Sequence, residues 1–315
     1  MVDKAPNTVQ KLLLAAPRGY CAGVDRAVQT VERALRRHGP PVYVRKEIVH
    51  NKHVVEQLRS RGAIFVDQET EVPEGAVTVF SAHGVAPSVH ANAAARSLQT
   101  IDATCPLVTK VHVEAKRFAA DGYTIVLIGH DGHEEVEGTM GEAPESIVLV
   151  ETADDVDSLE LENPEKVAFI TQTTLSVDET SAVIERLRER FPNIASPKTD
   201  DICYATTNRQ AAVKQLADLC DLVLVIGSSN SSNSKRLVEV ARDHGTEAHL
   251  IDSEQEVSEE WLTGKHTVGV TSGASAPEEL VERLVAFFRA RGVDDVSEHR
   301  VRDEDVRFML PMAIR

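Results

Sequence analysis

The chain is poor in several things at once. Aromatic residues supply only 4% of its 315 positions, so its interiors must be filled by Val, Ile, Leu and Ala, which suits sheets layered with helices. Positive charge is in deficit: 34 Lys and Arg stand against 50 Asp and Glu, a formal charge of −16. Such a surface repels nucleic acid and anionic lipid, so neither is an expected partner, and an anionic substrate must be held by a local set of donors. No apolar run approaches the length of a membrane span. The stretch from Met1 to Gln10 lacks the basic-then-apolar order of a secretory leader, so a cytoplasmic protein is expected. Cysteine is scarce as well. Four residues without a single CxxC pair argue against a disulfide framework and a zinc ribbon, and the short four-cysteine spacing of ferredoxins is missing too.

What is there is an order of elements met three times. An apolar run at Leu12 to Ala16 leads to Cys21, a helical pattern from Val24 to Arg37 and a strand at Val42 to Val44. Thr100 to Ala103 leads to Cys105, a helix over Pro106 to Ala120 and a strand at Tyr123 to Ile128. Cys203 leads to a helix over Tyr204 to Leu219 and a strand at Leu222 to Ile226. Further short strands recur at Ala63 to Val66, Ile147 to Val150 and Ala248 to Ile251, and again at Val77 to Phe80, Val167 to Ile170 and Thr267 to Val270. A polar loop follows each of the last three, and a helix closes each unit, near Pro87 to Leu98, Asp178 to Arg190 and Pro277 to Arg291. Strands separated by helices form parallel sheets. The expected fold is therefore α/β, with three small units of mostly parallel sheet in a pseudo-threefold, trefoil-like arrangement around one centre. The units span residues 11–99, 100–197 and 198–293, and a C-terminal tail covers 294–315.

Each of Cys21, Cys105 and Cys203 is expected at the end of a strand and just before a helix. That carboxyl edge is where α/β sheets bind ligands, and helix N-termini favour thiolate over thiol. A lone cysteine is usually a small core residue, and Cys220, at a helix end without counterparts, is read that way. Three cysteines in register point instead to one shared metal site. Zinc on three thiolates with an exchangeable position satisfies the pattern, and so does a cubane cluster with one iron left open.

Polar residues recur in step with the cysteines. His50, His133 and Ser231 follow the second strand of their units, and His83, Thr173 and Ser275 follow the fourth. With Glu135, Ser232 and Asn233 they make a set of neutral and cationic donors suited to a phosphate or diphosphate. Ser231-Ser232-Asn233-Ser234 before a helical stretch reads as an N-capped phosphate-binding turn, and no Gly-Lys-Ser/Thr makes it a P-loop. Serine clusters are ordinarily turns, and a histidine at a strand end is ordinarily a surface residue; His53, His112 and His130 are read as structural. Glu135 is most simply a loop acid, and it is also the one acid placed to donate a proton inside such a pocket.

The strings Gly19-Tyr20-Cys21-Ala22-Gly23-Val24, Glu47-Ile48-Val49-His50-Asn51, Ser81-Ala82-His83-Gly84-Val85 and Asp102-Ala103-Thr104-Cys105-Pro106 resemble the 4-hydroxy-3-methylbut-2-enyl diphosphate reductase family. So do Gly132-His133-Glu134-Glu135-Val136-Glu137-Gly138-Thr139, Thr171-Gln172-Thr173-Thr174-Leu175-Ser176, Ser231-Ser232-Asn233-Ser234 and Ser272-Gly273-Ala274-Ser275-Ala276-Pro277. The likeness runs from about Leu12 to Pro311 without a departure at a motif position. It implies a 4Fe–4S cluster on Cys21, Cys105 and Cys203, with the fourth iron open to the substrate hydroxyl. Oxidation would leave a 3Fe–4S form. In such enzymes two electrons and protons remove the hydroxyl as water, giving isopentenyl or dimethylallyl diphosphate, the last step of the non-mevalonate isoprenoid pathway. By the same resemblance His50, His83, His133, Ser231, Ser232, Asn233 and Ser275 hold the diphosphate, Thr173 and Glu135 manage the hydroxyl and its protons, and ferredoxin or flavodoxin supplies electrons. The tail from Val306 to Ile314 resembles one that returns to the first unit. Two rivals stand beside this reading: a zinc hydrolase of a phosphorylated metabolite on the same three cysteines, and an iron–sulfur sensor without turnover.

Overall fold

The computed structural model describes residues 8–315; Met1 to Asn7, most of the stretch read above for a leader, lies outside them. In chain order come β1 (Lys11–Ala16), α1 (Ala22–His38), β2 (Val42–Arg45), α2 (Lys52–Ser60), β3 (Ala63–Val66), β4 (Val77–Phe80) and α3 (Pro87–Ala95). Then follow β5 (Gln99–Asp102), α4 (Pro106–Ala120), β6 (Thr124–Ile128), α5 (Glu134–Met140), β7 (Ile147–Val150), α6 (Ala153–Ser158), β8 (Val167–Thr171) and α7 (Val177–Arg190). The last group is α8 (Tyr204–Leu219), β9 (Leu222–Ile226), α9 (Ser232–Asp243), β10 (Glu247–Ile251), α10 (Glu259–Leu262), β11 (Thr267–Ser272), α11 (Glu278–Arg289) and β12 (Asp295–Arg300). The strands make three sheets, ordered β10-β9-β11-β1-β12, β3-β2-β4-β5 and β7-β6-β8. Every strand pair in them is parallel, which is the α/β class expected from helices between strands. No helix among the described residues is long and apolar enough to cross a membrane.

One compact unit takes in the chain up to Cys21, His50–Val54 and Tyr204–Val306. Its five-stranded sheet is buried on both faces. Leu222, Leu224 and Ile226 face a cluster with Leu280, Leu284 and Phe288 of α11. Val223 and Val225, pointing the other way along the same strand, meet Ala212, Val213 and Leu216 of α8 and Leu237 of α9. Burial on both faces is why β9 reads as an unbroken apolar run rather than an alternating one.

The second unit takes in Ala22–Val49, Val55–Cys203 and Arg307–Arg315 and contains the other two sheets. Val126, Ile128, Val167 and Phe169 pack on Val183 and Leu187 of α7, whereas Ile125, Leu127, Ala168 and Ile170 pack on Val111, Ala115 and Phe118 of α4. Arg26 of α1 donates to Met309 O at 2.9 Å and Arg37 to Ala313 O at 3.0 Å, which ties the end of the chain to that helix.

Strand pairing cuts the sequence differently from the repeat of motifs. β1, which introduces Cys21, pairs with β11 and β12, and β5, which introduces Cys105, pairs with β4. Each strand leading to a cysteine thus completes a sheet begun by other strands. Before Cys203 the same pairing shrinks to an isolated parallel bridge, Ala168↔Ala195, since Pro192 and Pro197 flank it and remove the amides a longer strand needs.

Candidate functional site

The three cysteines are seated alike. Each is the residue immediately before a helix: Cys21 before α1, Cys105 before α4 and Cys203 before α8. Each main-chain amide donates to a carbonyl: Cys21 N to Ala274 O at 3.2 Å, Cys105 N to Ala82 O at 2.9 Å and Cys203 N to Thr173 O at 3.0 Å. Ala82, Thr173 and Ala274 all lie two residues past the end of a strand, β4, β8 and β11 respectively. With this amide bonded to a loop, the N–H groups of the following helical turn remain directed at the helix start, the end of the helix dipole that attracts negative charge. None of the three is in a disulfide, and all are partly exposed. Cys220 is different: burial pushes its thiol up to about 12, so it behaves as a packing residue.

This seating also sharpens the register of the polar loops. Counted from the strand ends, Thr174 matches His83 and Ser275, and Thr173 matches Ala82 and Ala274. Thr173 therefore combines two tasks, offering its carbonyl to Cys203 and its side chain elsewhere.

Within the second unit the nominated residues His83, His133, Glu135 and Thr173 fall into two groups. His133 is the N-cap of α5, its Nδ1 accepting from Glu135 N at 3.1 Å, and its ring meets that of His83 edge to face at 5.8 Å between centroids. His83 Nδ1 lies 3.1 Å from a carboxylate oxygen of Glu134. Glu135 is 3% exposed and takes two bonds from one residue, Thr173 N at 2.6 Å and Thr173 Oγ1 at 2.9 Å. Consecutive helical residues point about 100° apart, which is how Glu134 and Glu135 serve different partners. Glu135, read as a loop acid in sequence, is helical here.

Within the first unit, Ser231 caps α9 by accepting from Ser234 N, and Ser232 and Asn233 form the first turn. Asn233 Oδ1 accepts from Ala274 N at 2.9 Å, and its Nδ2 donates to Thr206 Oγ1 at 3.4 Å. Asn233 thus fixes the residue whose carbonyl holds Cys21. Ser275 Oγ donates to His50 O at 2.9 Å, and Asn230 Nδ2 is 3.5 Å from His50 Nδ1. Glu134, Asn230 and Thr206 were not singled out in sequence. Glu134 stood in the same string as Glu135, but only the helical turn separates their roles. His53, His112 and His130 face Glu279, Glu142 and Glu151 respectively.

Three cations reach the main chain just ahead of the cysteines. Arg26 donates to Ala103 O at 2.9 Å and Thr104 O at 3.0 Å. Lys110 donates to Thr199 O at 2.5 Å, Asp200 O at 2.8 Å and Asp201 Oδ1 at 2.8 Å. Arg209, wholly buried, donates to Gly19 O at 2.8 Å and Ala205 O at 2.9 Å and faces Glu304 at 3.1 Å. Burial pushes the Asp201 carboxyl up, with Lys110 opposing. Gly19 sits at φ +69, a backbone conformation that side chains rarely adopt.

Comparison with known proteins gives the family. A solved structure of the E-1-hydroxy-2-methyl-but-2-enyl-4-diphosphate reductase from Plasmodium falciparum superposes with a TM-score of 0.93, covering 96% of each chain at 38% identity. Proteins named 4-hydroxy-3-methylbut-2-enyl diphosphate reductase include one from Nocardia farcinica, 61% identical over 98% of this chain and 92% of the relative. Another, from Rhodococcus jostii, is 60% identical over 97% of this chain and 91% of its own. The family model described as LytB protein matches residues 12–289, a span that contains all three similarly seated cysteines, and the chain belongs to the LytB family.

Proposed function

We propose that this chain is a 4-hydroxy-3-methylbut-2-enyl diphosphate reductase. It removes the allylic hydroxyl as water with two electrons and two protons, and releases isopentenyl or dimethylallyl diphosphate as the last step of the non-mevalonate isoprenoid pathway. In this reading Cys21, Cys105 and Cys203 would together hold one 4Fe–4S cluster. The observation that carries it is the shared seating of those cysteines, each at a helix start with its amide bonded two residues past a strand end. The donor set fits: three free thiols, each at a helix start, while burial pushes the thiol of the fourth cysteine up. Bound there, such a cluster would supply electrons and, held by three thiols only, would leave one iron for the substrate hydroxyl and would be liable to loss as a 3Fe–4S form on oxidation.

The protein's own residues do the rest. His50, His83, His133, Ser231, Ser232, Asn233 and Ser275 bind the diphosphate, whose charge the acidic surface would otherwise repel. Glu134 accepts at His83 Nδ1 and so turns Nε2 of that ring toward the substrate. Thr173 and Glu135 handle the reacting end. The carboxyl of Glu135, shielded from water, passes a proton through the Thr173 hydroxyl to the departing oxygen. Ferredoxin or flavodoxin delivers the electrons, and a reducing cytoplasm keeps the three thiols available.

One anaerobic preparation tests this. The expected result is a coloured protein containing iron and sulfide that converts the allylic diphosphate when given a strong reductant. A colourless, iron-free protein that is still active would overturn it in favour of a zinc hydrolase, and a coloured protein without turnover would favour a sensor.

A further inference from the structure

We propose that Arg26, Lys110 and Arg209 are positioning residues for the metal centre, each reaching from the helix behind one cysteine to clasp the chain in front of another. Arg26 lies five residues after Cys21 and bonds the two carbonyls before Cys105. Lys110 lies five residues after Cys105 and bonds the segment before Cys203, two carbonyls and Asp201. Arg209 lies six residues after Cys203 and bonds Gly19 O, two residues before Cys21. In chain order the links run from first cysteine to second, second to third and third to first. The inference rests on the reading that the three cysteines hold one cluster.

The placement has a physical cause. Helical side chains lean toward the helix N-terminus. A long cation in the second turn, about 7–9 Å along the axis from the start, can therefore reach back past its own cysteine. That is an unfavourable position for a cation by itself, because the N-terminal half of a helix dipole repels positive charge. Nor do acids in the first turn compensate: α4 and α8 have none, and α1 has Asp25 alone. Negative charge at these three helix starts is left to the thiolates and what they bind. The clasps therefore have two effects. They fix the loops that carry the sulfur atoms, and they place three positive charges where an added electron is stabilised.

Arg26 gives the cleanest test, because its bonds to Met309, Ala103 and Thr104 all go to carbonyls and its removal strands no buried acid. Anaerobically reconstituted wild type, Cys105→Ser, Arg26→Gln, Arg26→Lys and Arg33→Gln would be compared for iron and sulfide content, rate of cluster loss to a chelator, and midpoint potential. Melting of the apoproteins checks folding. Arg33 is exposed on the far part of the same helix, so its substitution makes the same change in net charge away from the cysteines. Arg26→Gln is expected to weaken cluster retention by about 10–100-fold, as loss of groups supporting metal ligands generally does, and to lower the midpoint potential. Arg33→Gln is expected to match wild type in both. If Arg26→Gln fails to fold, Arg26→Lys decides: it keeps the charge but has fewer directed donors, so faster loss at an unshifted potential is expected. Retention and potential equal to wild type in whichever Arg26 variant folds overturn the proposal. Failure of the underlying reading looks different, since wild type would then bind no cluster or Cys105→Ser would keep it.

Discussion

Replacing Glu135 by Gln is the most direct probe of the reacting end. The carboxylate accepts from Thr173 N at 2.6 Å and Thr173 Oγ1 at 2.9 Å while almost fully buried. Glutamine keeps the shape. Its carbonyl oxygen can still accept from the amide, but its NH₂ can only donate, so the Thr173 hydroxyl must turn and accept. Hydrogen bonds to charged groups are worth about 1.5–3 kcal/mol and neutral ones about 0.5–1.5, so two weakened bonds cost about 1–3 kcal/mol after the relief of burying no charge. At about 1–2 °C per kcal/mol for a chain of this length, the melting temperature falls by a few degrees and the fold survives. Turnover suffers far more, because the variant has no proton to give; loss of a positioned acid costs about 10²–10⁴-fold. The assay is anaerobic reductive turnover with iron and sulfide measured on the same sample. Full turnover at unchanged cluster content would refute the assignment of Glu135 as the proton source.

Three further outcomes follow from single features of the structure. Cys220, with its thiol pushed up to about 12, is roughly one part in ten thousand thiolate at pH 8, so a thiol reagent should modify three cysteines of the folded apoprotein, and a fourth early adduct would contradict that burial. Glu304→Ala leaves the fully buried Arg209 without its carboxylate and should lower stability by about 3–5 kcal/mol in urea unfolding; a loss below 1 kcal/mol would mean that the ion pair does not hold the tail. Burial pushes the His112 imidazole below its ordinary 6.5, against Glu142, and its Nε2 has no acceptor. The unfolded chain then takes up a proton below 6.5 that the folded protein refuses, so stability is full above 6.5 and is lost as pH falls toward the folded value. The slope of melting temperature against pH should flatten in His112→Gln, and an unchanged slope would assign the acid sensitivity elsewhere.

The parts of this protein that could be read in its sequence are those whose pattern is local. α4 and α8 occupy the predicted residues because apolar spacing, Pro106 and the flanking turns all lie within one helix length. β9 was readable as an apolar run because both of its faces are covered. β12 was not. Asp-Val-Ser-Glu-His-Arg has no apolar alternation, and it becomes a strand only because it pairs along the edge of β1 over six residues. α5 has seven residues, including a glycine, too few for a helical period to show, and so the opposite duties of Glu134 and Glu135 were hidden. The cations at five or six residues past each cysteine stood in plain view. A single Arg or Lys on a helix carries no signal, however, until its carbonyl partners are known.

The larger difference concerns what repeats. Read along the chain, the repeated module is strand, cysteine, helix, strand. In the folded protein the recurring contact is a joint: a cysteine amide on a loop past the end of a strand to which the following helix does not lead. The strand before Cys21 belongs with β11, the strand before Cys105 with β4, and the Ala195 bridge before Cys203 with β8. Each thiol therefore sits where the chain leaves one sheet to begin another element, and its position depends on both. An insertion or a proline in the loop at Ala274 should then disturb Cys21, at the other end of the sequence, more than Cys203, which is nearer along the chain. This coupling gives the repeat a physical reason to keep its register: the loop of one unit is part of the seat of another unit's ligand.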